Sequence, residues 1–310
     1  MLREIRASDL PDVLRLVQAN FPEENALLGW DPPAFERAAR RFFRWDTRLL
    51  LGLLRLVGRP IFRMFLLERD GHPVAAALLT YAARSGYVST VVVDPAFRRQ
   101  GYARAILAAC RTATARSGRR YVVLDVLDAN APARALYASL GFHSLLATTY
   151  LARAIDGAPA PVSDRVRPFR SRDAPPLVEV ELAQRPGPVQ DVLPFDRGQL
   201  AVPSRVVAGL GSETAAWVTP ADGPPGGWIR ATTSGFMAAA NLTRPILAPD
   251  LAEADVDALL ATATGWIAAR GKRRAVVEVP EYDLRGRAAL ERAGFGAQFG
   301  VGTQVLDLGP

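Results

Sequence analysis

The chain has 310 residues, of which 49% are hydrophobic, a formal charge of +7 and a single cysteine. That length and apolar content suffice for two domains with a core each and exclude a disordered chain, while the lone Cys110 excludes an internal disulfide and, with only His72 and His143, a structural zinc site. The longest apolar run, 49–57, is interrupted by Arg55 and is far shorter than the ~20 residues a spanning helix needs, and residues 1–5 lack the apolar core of a signal peptide, so a soluble cytoplasmic protein is expected.

In chain order, residues 2–6 read as a strand and a helix follows with Ser8 as its cap, because a serine hydroxyl accepts from an exposed N–H of the first turn and Pro11 suits that turn. A second helix is expected from about Pro33. It carries Arg37, Arg40, Arg41, Arg44 and Arg48 at helical spacing opposite Phe42, Phe43 and Trp45, which reads as a solvated face. Strands near 61–69 and 73–82 flank Asp70-Gly71. Then come a strand over 87–93, a helix over 101–117 with Cys110 as a small buried hydrophobe, a strand over 120–127, a helix over 131–140 and a strand over 142–152. This is a mixed α/β layer. Residues 156–164 are a linker by composition, with Pro159 and Pro161 blocking regular structure.

Residues 91–104 hold an apolar strand, Val91-Val92-Val93, then Asp94-Pro95 and a loop, Arg98-Arg99-Gln100-Gly101-Tyr102-Ala103-Arg104, that opens a helix. A helix N-terminus has unpaired N–H groups and the positive end of the macrodipole, so a loop wrapped around it can hold a pyrophosphate through main-chain donors. Gly101 allows close backbone approach and Ala103 keeps the next turn clear. A pI near 10.1 permits attraction to such anions; by itself it is no sign of nucleic-acid binding, which is not expected.

This segment resembles the cofactor motif of the Gcn5-related N-acetyltransferases, which reads strand, Asp-Pro, Arg/Gln-x-x-Gly-x-Gly/Ala, helix. A second block fits the same family: Leu124-Asp125-Val126, Asn130, Ala133, Leu136-Tyr137 and Gly141-Phe142. The resemblance implies that Val91, Val92 and Val93 pair with the pantetheine arm of acetyl-CoA, with a backbone N–H near Val92 as oxyanion donor. It also implies that residues 98–104 and Asn130 contact the cofactor, Asn130 capping the helix after it as well, and that Tyr137 protonates the departing sulfur. Asp125 has two readings, a general base acting directly or through water, and a strand-end carboxylate bonded to nearby backbone. The implied reaction is acetyl transfer from acetyl-CoA to a primary amine on a small molecule or peptide, without a metal. The acceptor pocket is expected from residues 21–48 and the strand after Phe142. Its charge points both ways: Glu23, Glu24 and Asp31 suit an amine, the arginine face an acidic acceptor. The other function that fits is a silent CoA-binding regulator or scaffold.

Beyond the linker the pattern repeats. Shifted by 153 positions, residues 118–142 align without a gap with 271–295, sharing Gly118/Gly271, Arg120/Arg273, Val123/Val276, Val126/Val279, Arg134/Arg287, Ala135/Ala288, Gly141/Gly294 and Phe142/Phe295. The expected fold is two tandem acetyltransferase-fold domains, each a mixed, mostly antiparallel sheet flanked by helices. Residues 1–153 form the catalytic domain, 154–164 the linker and 165–310 a degenerate copy packed beside the first. The copy lacks the phosphate loop: Ala248-Pro249-Asp250 leads into a helix with Glu253 and Asp255 in its first turn, Leu290 stands at the Tyr137 position and Asp283 at that of Asn130. Glu278, at the position of Asp125, suggests a structural role for that acid.

Overall fold

The computed structural model describes residues 1–40, 61–156, 163–195, 197–201 and 212–309. The arginines after Arg40 in the basic helix, and the linker prolines, lie outside these residues. After β1 (Leu2–Glu4) the chain makes a 3-10 turn, Ala7–Asp9, and enters α1 (Leu10–Asn20) with Pro11 in its first turn. The residue that organises this turn is Asp9 and not Ser8. Its carboxylate accepts from the N–H of Arg6 at 2.7 Å and from both terminal nitrogens of Arg3 at 2.6 and 2.9 Å, and these donors hold it below the ordinary carboxylate range. A carboxylate can take all three donors at once, which a hydroxyl cannot.

Two short helices follow, α2 (Pro22–Leu28), which sequence patterning did not separate from its neighbours, and α3 (Pro32–Ala39), capped by Asp31 through the N–H of Ala34 at 3.0 Å. β2 (Phe62–Arg69) and β3 (His72–Tyr81) form a hairpin on Asp70 and Gly71, both left-handed as a two-residue type I′ turn requires. Then come β4 (Ser85–Val93), α4 (Tyr102–Arg116), β5 (Tyr121–Leu127), α5 (Ala131–Ser139) and β6 (His143–Ala154), which runs one residue into the segment expected as linker. On one face of β5, Val122, Leu124 and Val126 pack against Ile106, Leu107 and Cys110 of α4. Cys110 is fully enclosed and burial pushes its thiol up to about 12, so it serves as the small hydrophobe its alanine-rich setting predicts.

The second half repeats the plan with β7 (Arg167–Pro168), α6 (Ala174–Gln184), α7 (Gly187–Val192), β8 (Ser212–Thr219), β9 (Gly227–Ser234), β10 (Ala239–Leu242), β11 (Ile246–Leu247), α8 (Glu253–Ala268), β12 (Arg274–Pro280), α9 (Leu284–Arg292) and β13 (Gly296–Asp307). The repeat extends to side chains. Arg167 and the N–H of Arg170 hold Asp173 at 2.7–2.9 Å as Arg3 and Arg6 hold Asp9, and Asp283 caps α9 through the N–H of Gly286 as Asn130 caps α5 through that of Ala133.

The halves do not simply lie side by side. Among the described residues the strands form one continuous sheet in the order β1-β2-β3-β4-β5-β13-β6-β12-β10-β9-β8-β7, with β11 on β9. The pairs β4·β5 and β10·β12 are parallel and the others antiparallel. β5 is paired to β13 (Asp125↔Thr303) and not to β6, while β6 lies between β13 (Tyr150↔Phe299) and β12 (Tyr150↔Glu278). Each half therefore gives its last long strand to the other. Loops reinforce the exchange: the Asp31 N–H donates to Phe236 O and the Ala238 N–H to Gly29 O, both at 2.9 Å. Gly29 sits at φ +59, and a Cβ there would stand 2.6 Å from the Cβ of Ala238, so only glycine lets the two chains meet.

With β5 and β12 completed only by strands from the opposite half, neither half can unfold while the other keeps its sheet edges satisfied. Urea unfolding followed by tryptophan fluorescence and by far-UV circular dichroism is expected to give one coincident transition; two separated transitions would show that the halves are independent.

Candidate active site

Pairing of β4 with β5 runs from Ser85↔Tyr121 to Val88↔Leu124 and stops, although β4 continues to Val93. The two parallel strands part there, and a cavity of about 1230 Å³ opens in the gap. One end is the loop before α4. Arg99 and Gly101 are both left-handed, at φ +64 and +84, and the first helical bond of α4 is Ala105 N–H to Gly101 O at 3.0 Å. The N–H groups of Tyr102, Ala103 and Arg104 thus have no helical acceptor and line the cavity mouth together with Arg98 and Arg99, a setting that fits a pyrophosphate. Gly101 is required here by its backbone angle and not by crowding, since a Cβ would meet nothing within 4 Å.

Neighbouring side chains steady this end. Asn20 bridges Arg98 (3.2 Å), Val93 O (3.1 Å) and Leu16 O (2.8 Å), and Arg15 neutralises Asp94, whose other oxygen accepts the Ala96 N–H at 3.0 Å. Gln100, expected among the cofactor-contacting residues, accepts from Arg69 through its side-chain oxygen at 2.8 Å and does not line the cavity. Asn130 caps α5 at 3.2 Å and also lines the cavity.

Val92 departs from expectation. Its side chain is fully buried against Leu16, Leu66 and Ala76. The Asp94 N–H donates to Val74 O on β3, and alternation along an antiparallel ladder sends the Val92 N–H the same way. The outward residues are Val91 and Val93, both on the cavity wall.

Tyr137 and Asp125 reach the gap from opposite faces of the sheet. Tyr137, 6% exposed, packs with Phe142 and the Val122-Leu124-Val126 face, and its hydroxyl has no hydrogen-bond partner among the described residues. Burial pushes its phenol up to about 12, so it holds its proton. Asp125 follows the last residue of β5 paired to β4 and points to the other face, that of Tyr121 and Val123. Its partners are side chains and not backbone: Tyr87 on β4 donates to Oδ2, and Thr303 on β13 to Oδ1 at 2.7 Å.

The far end of the cavity combines Glu24, Trp30 and Phe35 from the α2–α3 region with Tyr87, Tyr150 and, from the second half, Met237, Phe299 and Val301. Burial pushes Glu24 up, and its Oε2 is buried without a hydrogen-bond partner. Tyr150 also faces Glu278, an acid of β12 raised by burial and by the charge of Asp125. Of the other acids considered for this pocket, Asp31 is spent on its helix cap and Glu23 faces a separate inter-half depression with Arg153 and Arg274. Thr303, Tyr87 and Tyr150 are absent from the sequence reading. Each meets its acid across a strand pairing, which no pattern along the chain marks.

The matching gap in the second half is filled by protein. Pairing of β10 with β12 ends at Leu242↔Val277, and beyond it Arg244 bonds Glu181, Asp283 at 3.0 Å and the Tyr282 hydroxyl at 3.2 Å. Arg285 caps the carbonyls of Ala248 and Leu251, where a phosphate loop would present N–H groups, and Glu253 at the start of α8 pairs with Arg292 and Arg285.

Residues 15–142 match the model of the Acetyltransferase (GNAT) family. The whole chain superposes on a tandem GNAT protein from the clavulanic acid biosynthesis pathway, with TM-score 0.68 and 17% identity over 100% of this chain and 99% of that one. A GCN5-related N-acetyltransferase from Sphaerobacter thermophilus gives 0.66 and 15% over 100% and 96%, and a putative acetyltransferase from Pyrococcus horikoshii 0.60 and 12% over 100% and 89%. No protein of curated function matches the sequence. The first half thus contains a GNAT-family acetyltransferase domain. The chain as a whole has the tandem GNAT fold, an architecture that supports acyl-CoA-dependent acetyl transfer.

Replacing Gly101 by valine forces a branched side chain to φ +84, a strain of roughly 1–3 kcal/mol that the loop relieves by moving its N–H groups. Calorimetric titration with CoA is expected to show affinity lowered about tenfold or more; unchanged affinity would remove the loop from the binding site.

Proposed function

We propose that the chain transfers the acetyl group of acetyl-CoA directly to a primary amine. The observation that carries this reading is the single cavity running through the β4/β5 gap, from the free N–H groups of α4 past Val91, Val93 and Tyr137 to Asp125. The loop and helix N-terminus hold the pyrophosphate, and the outward N–H groups of Val91 and Val93 pair with the pantetheine arm and the thioester carbonyl, donating to its oxygen as charge develops there. The amine nitrogen bonds to the carbonyl carbon and the C–S bond breaks. The amine proton passes to Asp125, directly or through water, and Tyr137 gives its proton to the sulfur. Burial serves Tyr137 because a neutral phenol both donates a hydrogen bond to a developing thiolate and can complete the transfer.

The acceptor end favours an amine over an acidic acceptor among the described residues, since Glu24 and Asp125 stand among Trp30, Phe35, Tyr87 and Tyr150, a combination that attracts a cation. The acceptor is a small molecule or a peptide N-terminus or side chain reaching this end. The second half, whose gap holds Arg244 and whose loop presents carbonyls to Arg285, takes no CoA.

The test is a screen of primary amines with acetyl-CoA, followed by Tyr137→Phe and Asp125→Asn on the best acceptor. Each variant is expected to lower kcat by about a hundredfold while CoA still binds at one site per chain. With Tyr137 at about 12, no loss of rate from its ionisation is expected up to pH 10. Failure of the unaltered chain to acetylate any amine, with CoA binding intact, would replace this reading by a CoA-binding scaffold; two CoA sites per chain would overturn the assignment of the second half.

A further inference from the structure

We propose that Thr303, brought into the first half on the exchanged strand β13, is a positioning residue for acetyl transfer: it fixes the Asp125 carboxylate in the orientation from which that group takes the acceptor's proton. This rests on the reading of Asp125 as base. The last torsion of an aspartate is soft and nearly two-fold, so a carboxylate on a strand facing a cavity has no intrinsic orientation. Here each oxygen has its own donor, one from each strand flanking β5. Tyr87 on β4 donates to Oδ2, and Thr303, directly opposite Asp125 in the β5·β13 register, donates to Oδ1 at 2.7 Å. The torsion is pinned from both sides, and each oxygen keeps a lone pair free at the wall of the cavity that Asp125 lines. Thr303 is 6% exposed and makes no other side-chain hydrogen bond among the described residues, so its hydroxyl is committed to Asp125.

The duplication supports the same conclusion independently. The position of Thr303 in the second half is that of Tyr150 in the first, and Tyr150 faces Glu278, the counterpart of Asp125. In both cases an acid on the strand that borders the gap meets a hydroxyl delivered by the other half. The strand exchange thus places a functional contact, and the half without a cofactor loop contributes to the chemistry of the half that has one.

Thr303→Val keeps the branched shape that suits a strand and removes only the hydroxyl. With an amine acceptor in hand, this variant is expected to lower kcat by roughly ten- to a hundredfold, the scale of a lost hydrogen bond to a charged group, while the KM for acetyl-CoA and the thermal midpoint stay close to wild type. Thr303→Ser, which restores the donor, is expected to recover the rate to within about threefold. In a double-mutant cycle, Thr303→Val is expected to cost nothing further once Asp125→Asn is present. An impaired Asp125→Asn beside a fully active Thr303→Val would overturn the positioning role alone, as would failure of serine to rescue or an undiminished effect of Thr303→Val on Asp125→Asn. A fully active Asp125→Asn would overturn the base assignment and the present proposal together. Should the valine variant melt early, Thr303→Ala is the second probe, judged by the same rescue with serine.

Discussion

The pairing of β6 with β13 is the contact on which the molecule depends. A sheet edge left with free N–H and C=O groups is both a cost and an aggregation hazard. Here the edge of β5 is completed by β13 and the edge of β12 by β6, so each half closes the other. The register of this central pair fixes several further positions. Across it Tyr150 stands opposite Phe299, while the flanking β5·β13 and β6·β12 pairs set Thr303 opposite Asp125 and Tyr150 opposite Glu278; the α2–α3 region also meets the second half through Gly29, Asp31 and the carbonyl of Leu27, which accepts from Arg274 at 3.0 Å. The acceptor end of the cavity has walls from both halves as a direct result.

A second constraint follows from where β4 leaves β5. Side chains on a strand alternate between faces, so two groups on opposite faces of a sheet normally cannot act on one substrate. The end of pairing at Val88↔Leu124 removes the wall between the faces, and Tyr137 and Asp125 then border a common space. Their surroundings differ accordingly. Tyr137 projects from α5 into the apolar layer against β5 and keeps its proton through burial. Asp125 lies on the wetter face, where a hydroxyl donates to each of its oxygens and, among the described residues, no guanidinium pairs with it.

Local chemistry was legible in the sequence wherever it is carried by neighbours along the chain. The strand, the Asp94-Pro95 turn, the helix N-terminus after Gly101 and the Asn130 cap are each set within a few residues, and they lie where patterning put them. What depends on register was not legible. Alternation shows that Val92 faces away from its neighbours but not which of them points its N–H into the gap, because that is decided by the bonding of Asp94 to Val74 on another strand. The same holds for Asp125, whose partners Tyr87 and Thr303 come from strands far apart in sequence. At the N-terminus, Ser8 and Asp9 are both good capping residues, and the choice between them rests on Arg3, one strand away. The exchange itself leaves no trace in hydrophobic pattern, since β6 and β13 need the same faces buried whichever half they complete.

In the second half the matching cleft is occupied by the chain's own charged side chains. Glu181 is completely enclosed and is paired with Arg244 and, at 3.1 Å, with Arg185, while Asp283 holds the other side of Arg244. Buried ion pairs of this kind contribute little net stability compared with an apolar filling, but removing one partner leaves an uncompensated charge, at a cost of roughly 3–5 kcal/mol. A ligand entering this gap would have to displace Arg244 and strand Glu181, whose second oxygen already lacks a partner. The polarity at the mouth has also reversed, from free N–H groups and arginines in the first half to carbonyls bound by Arg285 and a helix start occupied by Glu253. The gap and the loop thus differ from those of the first half together. Through β13 and the loop at Met237 the same half supplies part of the wall of the first half's cavity and the Thr303 hydroxyl bonded to Asp125.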